Sequence, residues 1–405
     1  MARETTSVWR QLFHLKKTSP VIYYTIIILF VAEILVSWVA PLFIPDNWYL
    51  SLYLKKKAKE QTLKFSKADT DFLIFDPVTG WRSKPNSRKG NWIIDEHGAR
   101  TTHVFGKKPQ KPVRVMFLGS SLVNGGTKVS NRETISAYVE DSLFEAVNFA
   151  TMLYSFDQMC LAFEKGLFRF HPAIIVVGLS VTEGEGLTNR YIPFRFPSEV
   201  NMPFFKPRFK FQRKKLRLIP VPSRNSYEQL FQSSVMLKRL KTTDEFYAEF
   251  ENYKRFGLLP ISGGLSALAK KIRNFIHLFK APPCLKNISL LENEMRHLVF
   301  VGKKHKAAVI FMLLPARNDV FRTGWRRRSL DQYQILLSRL QSDNFNIMDV
   351  RASLRQSGLA GWKLFSPDNH HYTAAGNKII AASLHQKLMS VARQFNADFA
   401  IRAAR

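Results

Sequence analysis

Three short stretches of the 405-residue chain hold side chains whose types and spacing could do chemistry. "VRVMFLGSSLVNGG", Val113 to Gly126, runs from an apolar segment straight into Gly119, Ser120 and Ser121. A serine hydroxyl becomes a nucleophile once a neighbouring base takes its proton. Toward the other end, "SPDNHHYTAAG" places Asp368 and His371 three residues apart, just ahead of a helical pattern. On a loop, that spacing lets the acid hold one imidazole nitrogen while the other accepts a proton from a serine. Taken singly, each residue also has a plainer role: Ser121 as a helix N-cap, Asp368 as a loop cap, and His371 as a surface histidine. The third stretch, "FFKPRFKFQRKKLRL", has seven basic and no acidic residues between Phe204 and Arg217. Arg208, Arg213, Lys214 and Lys215 are its candidates for holding an anion.

Other chemistries are excluded by what is missing. Neither a G-x-G-x-x-G fingerprint nor a P-loop Gly-Lys-Ser/Thr follows the first apolar segment, so these serines do not cradle a phosphate. No cofactor or metal is expected: His370 and His371 are adjacent, and no third ligand of suitable geometry accompanies them. Nucleic acid is not an expected partner either, since no zinc-finger spacing, RNP-type motif or separate helix-turn-helix unit accompanies the basic stretch.

The elements that must position the serine and the histidine follow from periodicity. From Val113 the pattern reads as strand and helix in alternation: "VRVMFLG", helical "ETISAYVEDSLF", "AVNFA", helical "SFDQMCLAFEKGLF", then "PAIIVVGLS". After an interruption it resumes with "ISLLENEMRHLVFVGKKH", "KAAVIFMLLP", helical "LDQYQILLSRLQSD", "FNIMDV" and a final helix "AAGNKIIAASLHQKLMSVARQF". Near-continuous apolar strands between amphipathic helices predict a parallel sheet covered on both faces, an α/β doubly wound fold of five strands. Ligands of such sheets sit outside the carboxyl ends of the strands, where both candidate loops fall.

The interruption, residues 186–285, holds 19 Lys and Arg against 6 Asp and Glu, within a chain of net charge +30. Its densest part alternates basic and apolar residues at period two and predicts a hairpin around Arg213–Lys215. Two readings stay open: a solvated flap, or a polyanion surface on which Phe204, Phe205, Phe209 and Phe211 supply stacking or packing faces. Ahead of the sheet, "FDPVTGWRSKPNSRKGNWIIDEHGAR" carries turn signals and reads as an irregular lead-in. "VIYYTIIILFVAEILVSWVAPLF", Val21 to Phe43, has a single charge, Glu33, and predicts one membrane-spanning helix. A partner within the membrane would relieve the cost of Glu33. Basic residues flank the span on both sides, so charge does not set its orientation. Cys160 and Cys284 match no metal-ligand spacing and read as two unpaired packing residues.

Taken together, "FLGSSLVNG" and "DNHHYTAAG" resemble the first and last blocks of the SGNH (GDSL-type) hydrolase family. The resemblance covers roughly residues 113–186 and 288–394, and it implies a flavodoxin-like fold with Ser121 as nucleophile, His371 as base and Asp368 as acid. Ser120 stands in the place of the family's Asp. "VNFATMLYSFDQ" is similar to the second block, with Ala150 and Leu153 in place of glycines, and there the resemblance puts the Leu153 N–H beside the oxyanion. "VVGLSVTEGEG" lacks the third block's Asn-Asp, leaving Ser180 or Thr182 in the Asn place. The Ser121 N–H, the Leu153 N–H and one of those hydroxyls would then hold the oxyanion. The span, the "GWR" lead-in and the flap look like those of membrane-anchored bacterial members.

These readings give an N-terminal cytoplasmic segment (1–20), the span (21–43), a juxtamembrane lead-in (44–112), a first catalytic part (113–185), a basic insertion (186–285) and a second catalytic part (286–405). The function implied is a serine esterase or acyltransferase, acting in the periplasm or outside the cell on acyl esters such as O-acetyl groups of an envelope carbohydrate. The alternative is a domain without activity that binds glycan or a protein partner in an envelope assembly.

Overall fold

The computed structural model describes residues 19–25, 27–28, 31–32, 72–195, 205–213, 215–222, 234–248, 283–321 and 331–403. The chain divides into two compact units, one of residues 1–59 with 229–280 and one of residues 60–228 with 281–405. The basic insertion is therefore shared between them. In the first unit the described part of the Val21–Phe43 stretch is helical through Val21–Thr25, Ile27–Ile28 and Val31–Ala32, and the rest of it lies outside the described residues. Among the described residues no helix is long and apolar enough to cross a membrane. The other described element of this unit is a helix, Ser234–Thr243, followed by buried Phe246 and Tyr247.

In the second unit the lead-in forms two small antiparallel pairs, β1 (Leu73–Asp76) with β2 (Gly80–Ser83) and β3 (Arg88–Lys89) with β4 (Trp92–Ile93). The main sheet is built from β5 (Val113–Leu118), β6 (Phe144–Asn148), β7 (Ile174–Ser180), β10 (Ala308–Leu314) and β11 (Ile347–Asp349). All its pairs are parallel, and its spatial order is β11-β10-β7-β5-β6. Counted along the chain that is the order 2-1-3-4-5 of a flavodoxin-like doubly wound sheet. The predicted strands and their alternation with helices correspond to this sheet. Between β7 and β10, β8 (Arg208–Gln212) and β9 (Lys215–Ile219) form the predicted hairpin.

Alternation along each strand divides the core. Met116 and Leu118 of β5 face one side, with Phe156, Met159 and Phe163 of α3 (Phe156–Lys165), Met295 of α4 (Ile288–Lys304) and Leu336 of α5 (Gln332–Ser342). Val113, Val115 and Phe117 face the other, with Ile135 and Val139 of α2 (Ile135–Val139) and Ile380 and Leu384 of α6 (Ala374–Ala403). Each such side chain contributes roughly 1.5–3 kcal/mol by leaving water. The first helix, α1 (Ser121–Asn124), is a single turn sitting directly on the sheet.

That turn comes close because two glycines make room for Val123. A Cβ on Gly119 would stand 2.5 Å from Val123 Cγ2, and one on Gly178 of β7 would stand 2.2 Å from it. No larger residue fits at either place, so the two glycines set the height at which the serine leaves β5. Cys160 and Cys284 are both free and buried.

Candidate active site

In a 2-1-3-4-5 sheet the chain reverses direction of winding between the first and third strands, and a crevice opens there at the carboxyl ends. Here those strands are β5 and β7. Ser121, the first residue of α1, follows β5 across Gly119 and its N-cap Ser120. The Ser121 hydroxyl lies 2.8 Å from His371 Nε2, and His371 Nδ1 lies 2.9 Å from Asp368 Oδ2. A carboxylate only accepts, so Nδ1 carries the ring proton and Nε2 is left as the acceptor for the serine. The three residues singled out at opposite ends of the sequence form one continuous hydrogen-bonded chain.

Asp368 does more than orient the ring. Its other oxygen, Oδ1, accepts the backbone N–H groups of His370 and His371, both at 2.9 Å. Burial pushes this carboxyl upward, but the His371 and His370 amides and then the His371 ring outweigh it and hold it down at about 2. It stays a carboxylate through the whole range in which an esterase works. The loop itself is closed by Ser366 N–H on the His371 carbonyl at 2.8 Å, and by the buried Tyr372 hydroxyl on the Pro315 carbonyl at 2.6 Å. His371 and Asp368 keep 25% and 34% of their side-chain surface exposed, so a substrate reaches the base from solvent.

The serine, histidine and aspartate thus stand in the order that the family resemblance implies for nucleophile, base and acid. No family profile matches the sequence, and no curated protein does. Among solved structures, the chain is similar to Axe2, an acetylxylan esterase from Geobacillus stearothermophilus, at 12% identity over 68% of this chain and 94% of that one, with a TM-score of 0.36. A GDSL-like lipase from Bacteroides thetaiotaomicron is similar at 12% identity over 71% and 93%, with a TM-score of 0.34. The site is therefore argued from its own sheet order and geometry.

The stretch that resembles the second block departs from glycine in residue type and keeps glycine's backbone. Leu153 has φ +61°, in the left-handed region that a side chain disfavours by roughly 1–2 kcal/mol. It stands third in a turn closed by the Tyr154 N–H on the Thr151 carbonyl at 3.2 Å, while the Thr151 N–H reaches the Gly119 carbonyl at 3.0 Å. Strain of this kind persists only where the surroundings impose it. Here the lead-in imposes it: buried Trp81 donates its indole N–H to the Met152 carbonyl at 2.9 Å, and the Tyr154 hydroxyl donates to the Trp81 carbonyl at 2.6 Å. Neither the Leu153 N–H nor the Ser121 N–H has an acceptor among the described residues. Both are available to an oxyanion.

In the third block the two hydroxyls differ. Ser180, at the end of β7, donates to Glu183 Oε2 at 3.1 Å, and its N–H reaches the same oxygen at 3.3 Å. Its one proton is therefore spoken for. Thr182 is exposed, and its side chain makes no capping bond to the helix it precedes. Of the two readings of this block, Thr182 is the one with a hydroxyl to give.

Other residues of the site carry no sequence signal. Buried Arg100 of the lead-in donates to the carbonyls of Asn124 at 2.7 Å, Gly126 at 2.6 Å and Val129 at 2.6 Å, and to Asn131 Oδ1 at 2.9 Å. It thus encloses the chain that leaves the nucleophile. Burial pulls its guanidinium down to about 10, Glu133 opposing, and it remains charged at neutral pH. Asn124 Nδ2 donates to the Ala150 carbonyl at 2.7 Å, and Asn148 Nδ2 to the Val123 carbonyl at 3.1 Å, which ties the nucleophile turn to the second block. A cavity of about 420 Å³ lies beside the lead-in, walled by Thr79, Arg82, Thr151 and Tyr154 among others, and its walls include none of the triad residues.

The anion-binding candidates are placed unevenly. Arg213 and Lys215 are exposed, while Lys214 lies outside the described residues. Arg208 is half-buried, its guanidinium within 3.4 Å of the Thr188 carbonyl, so it serves the hairpin's base rather than its surface. Of the phenylalanines read as stacking or packing faces, the described ones divide. Phe205 and Phe209 are buried, the first bridged to Tyr191 and the second packed in the core; Phe211 alone is exposed, and Phe204 lies outside the described residues. Period-two alternation marks a two-faced hairpin, but the apolar face is the one that docks.

Proposed function

We propose that this chain is a serine esterase or acyltransferase working through a Ser121 acyl ester. The observation that carries the reading is the unbroken chain from Ser121 through His371 to Asp368. In the first half-reaction His371 Nε2 takes the Ser121 proton as Oγ attacks the ester carbonyl, and the C–O bond of the leaving alcohol breaks as His371 returns that proton to it. In the second, His371 takes a proton from water or an acceptor hydroxyl, which attacks the acyl-serine; the proton then returns to Ser121 and the acid or new ester leaves. The N–H groups of Ser121 and Leu153, with the Thr182 hydroxyl, stabilise the oxyanion at each tetrahedral stage.

The partly exposed triad favours a substrate presented from solvent, as an ester on a carbohydrate chain is. With the apolar Val21–Phe43 stretch as a membrane anchor, the catalytic unit would act on acyl esters of an envelope carbohydrate from the extracytoplasmic side. Labelling the purified full chain with a fluorophosphonate tests the chemistry: Ser121 is modified and hydrolysis of a small acetyl ester stops with it. No labelling and no hydrolysis would sink the catalytic reading and leave a binding module on the same fold.

A further inference from the structure

We infer that the β8–β9 hairpin is a lipid-contacting element that rests on an anionic membrane surface. The antiparallel register puts Phe209 opposite Leu218 and Phe211 opposite Leu216 on one face, and Lys210 opposite Arg217 and Gln212 opposite Lys215 on the other. The apolar face docks only in part. Phe209 is buried in the core and Leu216 packs against it, whereas Phe211 and Leu218 remain 43% and 41% exposed. Lys210, Lys215 and Arg217 are exposed on the other face and Arg213 in the turn between the strands, and residues 205–222 contain no acid.

A thin hairpin with an exposed aromatic and a leucine on one face and unopposed cations on the other and in its turn carries both halves of a lipid interface. The cations meet anionic headgroups, and the apolar side chains enter the boundary just beneath them. A soluble polyanion would use the charge but would leave Phe211 and Leu218 in water, so the hairpin's chemistry favours lipid.

The hairpin is also held firmly enough to transmit that contact. Lys206, two residues before β8, is buried and donates its ammonium to Asp157 of α3, also buried. An ion pair enclosed in this way is costly to break, because either partner alone would be an uncompensated buried charge. Asp157 lies in the first turn of α3, which begins shortly after Leu153. The lipid contact therefore sits on the same rigid body as the oxyanion turn.

The inference rests on the membrane attachment in the proposed function, and one experiment separates the two. The full-length Gln212→Cys protein is labelled at the hairpin tip with an environment-sensitive fluorophore; Cys160 and Cys284 are buried and leave the new thiol as the reactive one. It is reconstituted with vesicles of phosphatidylcholine alone or with phosphatidylglycerol added, and acetyl-ester hydrolysis and flotation are read in the same samples. The expected result is flotation with both vesicles, with a blue-shifted probe only in the anionic ones, reversed by salt. Replacing Lys210, Arg213, Lys215 and Arg217 by Gln should abolish the shift, each cation having been worth about fivefold in partitioning. Phe211→Ser should weaken it while leaving hydrolysis unchanged. A probe that stays aqueous on anionic vesicles, responds equally on neutral ones, or responds to dextran sulfate and not to vesicles overturns the inference. Failure to float with neutral vesicles, with the anionic response intact, would instead count against the anchor alone.

Discussion

The two loops that meet at the active site are supported in opposite ways. The nucleophile turn is held from a distance: Arg100 reaches it from the lead-in, Asn148 from β6, and Val123 is seated between two strands. These supports are buried and satisfy the turn's own carbonyls. The acid–base loop is held largely by itself, through Asp368 on the amides of His370 and His371 and Ser366 on the His371 carbonyl, with Tyr372 on the Pro315 carbonyl and Arg317 on Asn369 as its ties to the rest of the unit. The difference fits the tasks. The attacking oxygen and the oxyanion donors must share one frame to within a fraction of an ångström, whereas the imidazole has only to shuttle a proton across one hydrogen bond.

The largest effects should therefore come from the chemistry that both loops share. Ser121→Ala and His371→Ala should each lower kcat on an acetyl ester by about 10⁶, and the double variant should be scarcely worse, because a nucleophile and its base act as one unit. Asp368→Asn should cost less, about 10⁴, through loss of the correct tautomer. Because the Asp368 carboxyl is held at about 2, it stays ionised as pH falls toward 4, so its protonation should not shape the acid limb of the rate profile. Strictly additive losses in the double variant would break the picture of a single relay.

How much of this was legible in the sequence follows the same division. Ser121, Asp368 and His371 could be read because their chemistry demands particular residue types, and because a local i,i+3 spacing already places the acid on the base. The five parallel strands could be read from apolar runs alternating with helical periods, while their flavodoxin-like order was implied only by the family resemblance. The roles of Arg100 and Trp81 could not. Arg100 lies outside any strand or helix and Trp81 in a short antiparallel pair, and the role of each comes from carbonyls that only the folded chain brings to it. Leu153 misleads in the other direction, since a leucine in a glycine place argues for a lost turn, while the tertiary clamp imposes the left-handed backbone regardless. The hairpin shows a third kind of limit: period two fixes which residues share a face, but not which face the core will cover.

Distant support should fail through stability, and next in size is the effect of Arg100→Met. It removes one buried cation and leaves the carbonyls of Asn124, Gly126 and Val129 without their donor. Leaving buried partners unsatisfied in this way costs about 3–5 kcal/mol, a fall in Tm of roughly 10 °C for a unit of this size. Scanning calorimetry reads the first effect, and the kcat of the surviving folded protein reads the second, which should fall as the nucleophile turn loosens. On the other side of the comparison, Asn369→Ala removes one part-buried hydrogen bond from the Arg317 guanidinium at 3.1 Å and puts alanine at φ +62°, and should still cost less in Tm than Arg100→Met. Equal losses would mean that the two loops are not supported differently after all.

The smallest effect, and the sharpest test of what the second block does, is Leu153→Gly. If the side chain mattered, this change would resemble deletion of an oxyanion donor, which costs about 10²–10³ in kcat. The geometry argues otherwise, because the group offered to the oxyanion is the backbone N–H, which glycine keeps. At φ +61° glycine also relieves roughly 1–2 kcal/mol of left-handed strain, while it gives up the packing of a half-buried leucine and gains freedom in the unfolded chain. These terms nearly cancel, so Tm should move by no more than a few degrees and kcat by less than about threefold. Leu153→Val places a β-branched residue in the same conformation, where it is least tolerated, and should lower Tm and kcat together. Should Leu153→Gly lose activity a hundredfold with its fold intact, the turn would be holding the leucine for its side chain, and the clamp by Trp81 would need another purpose.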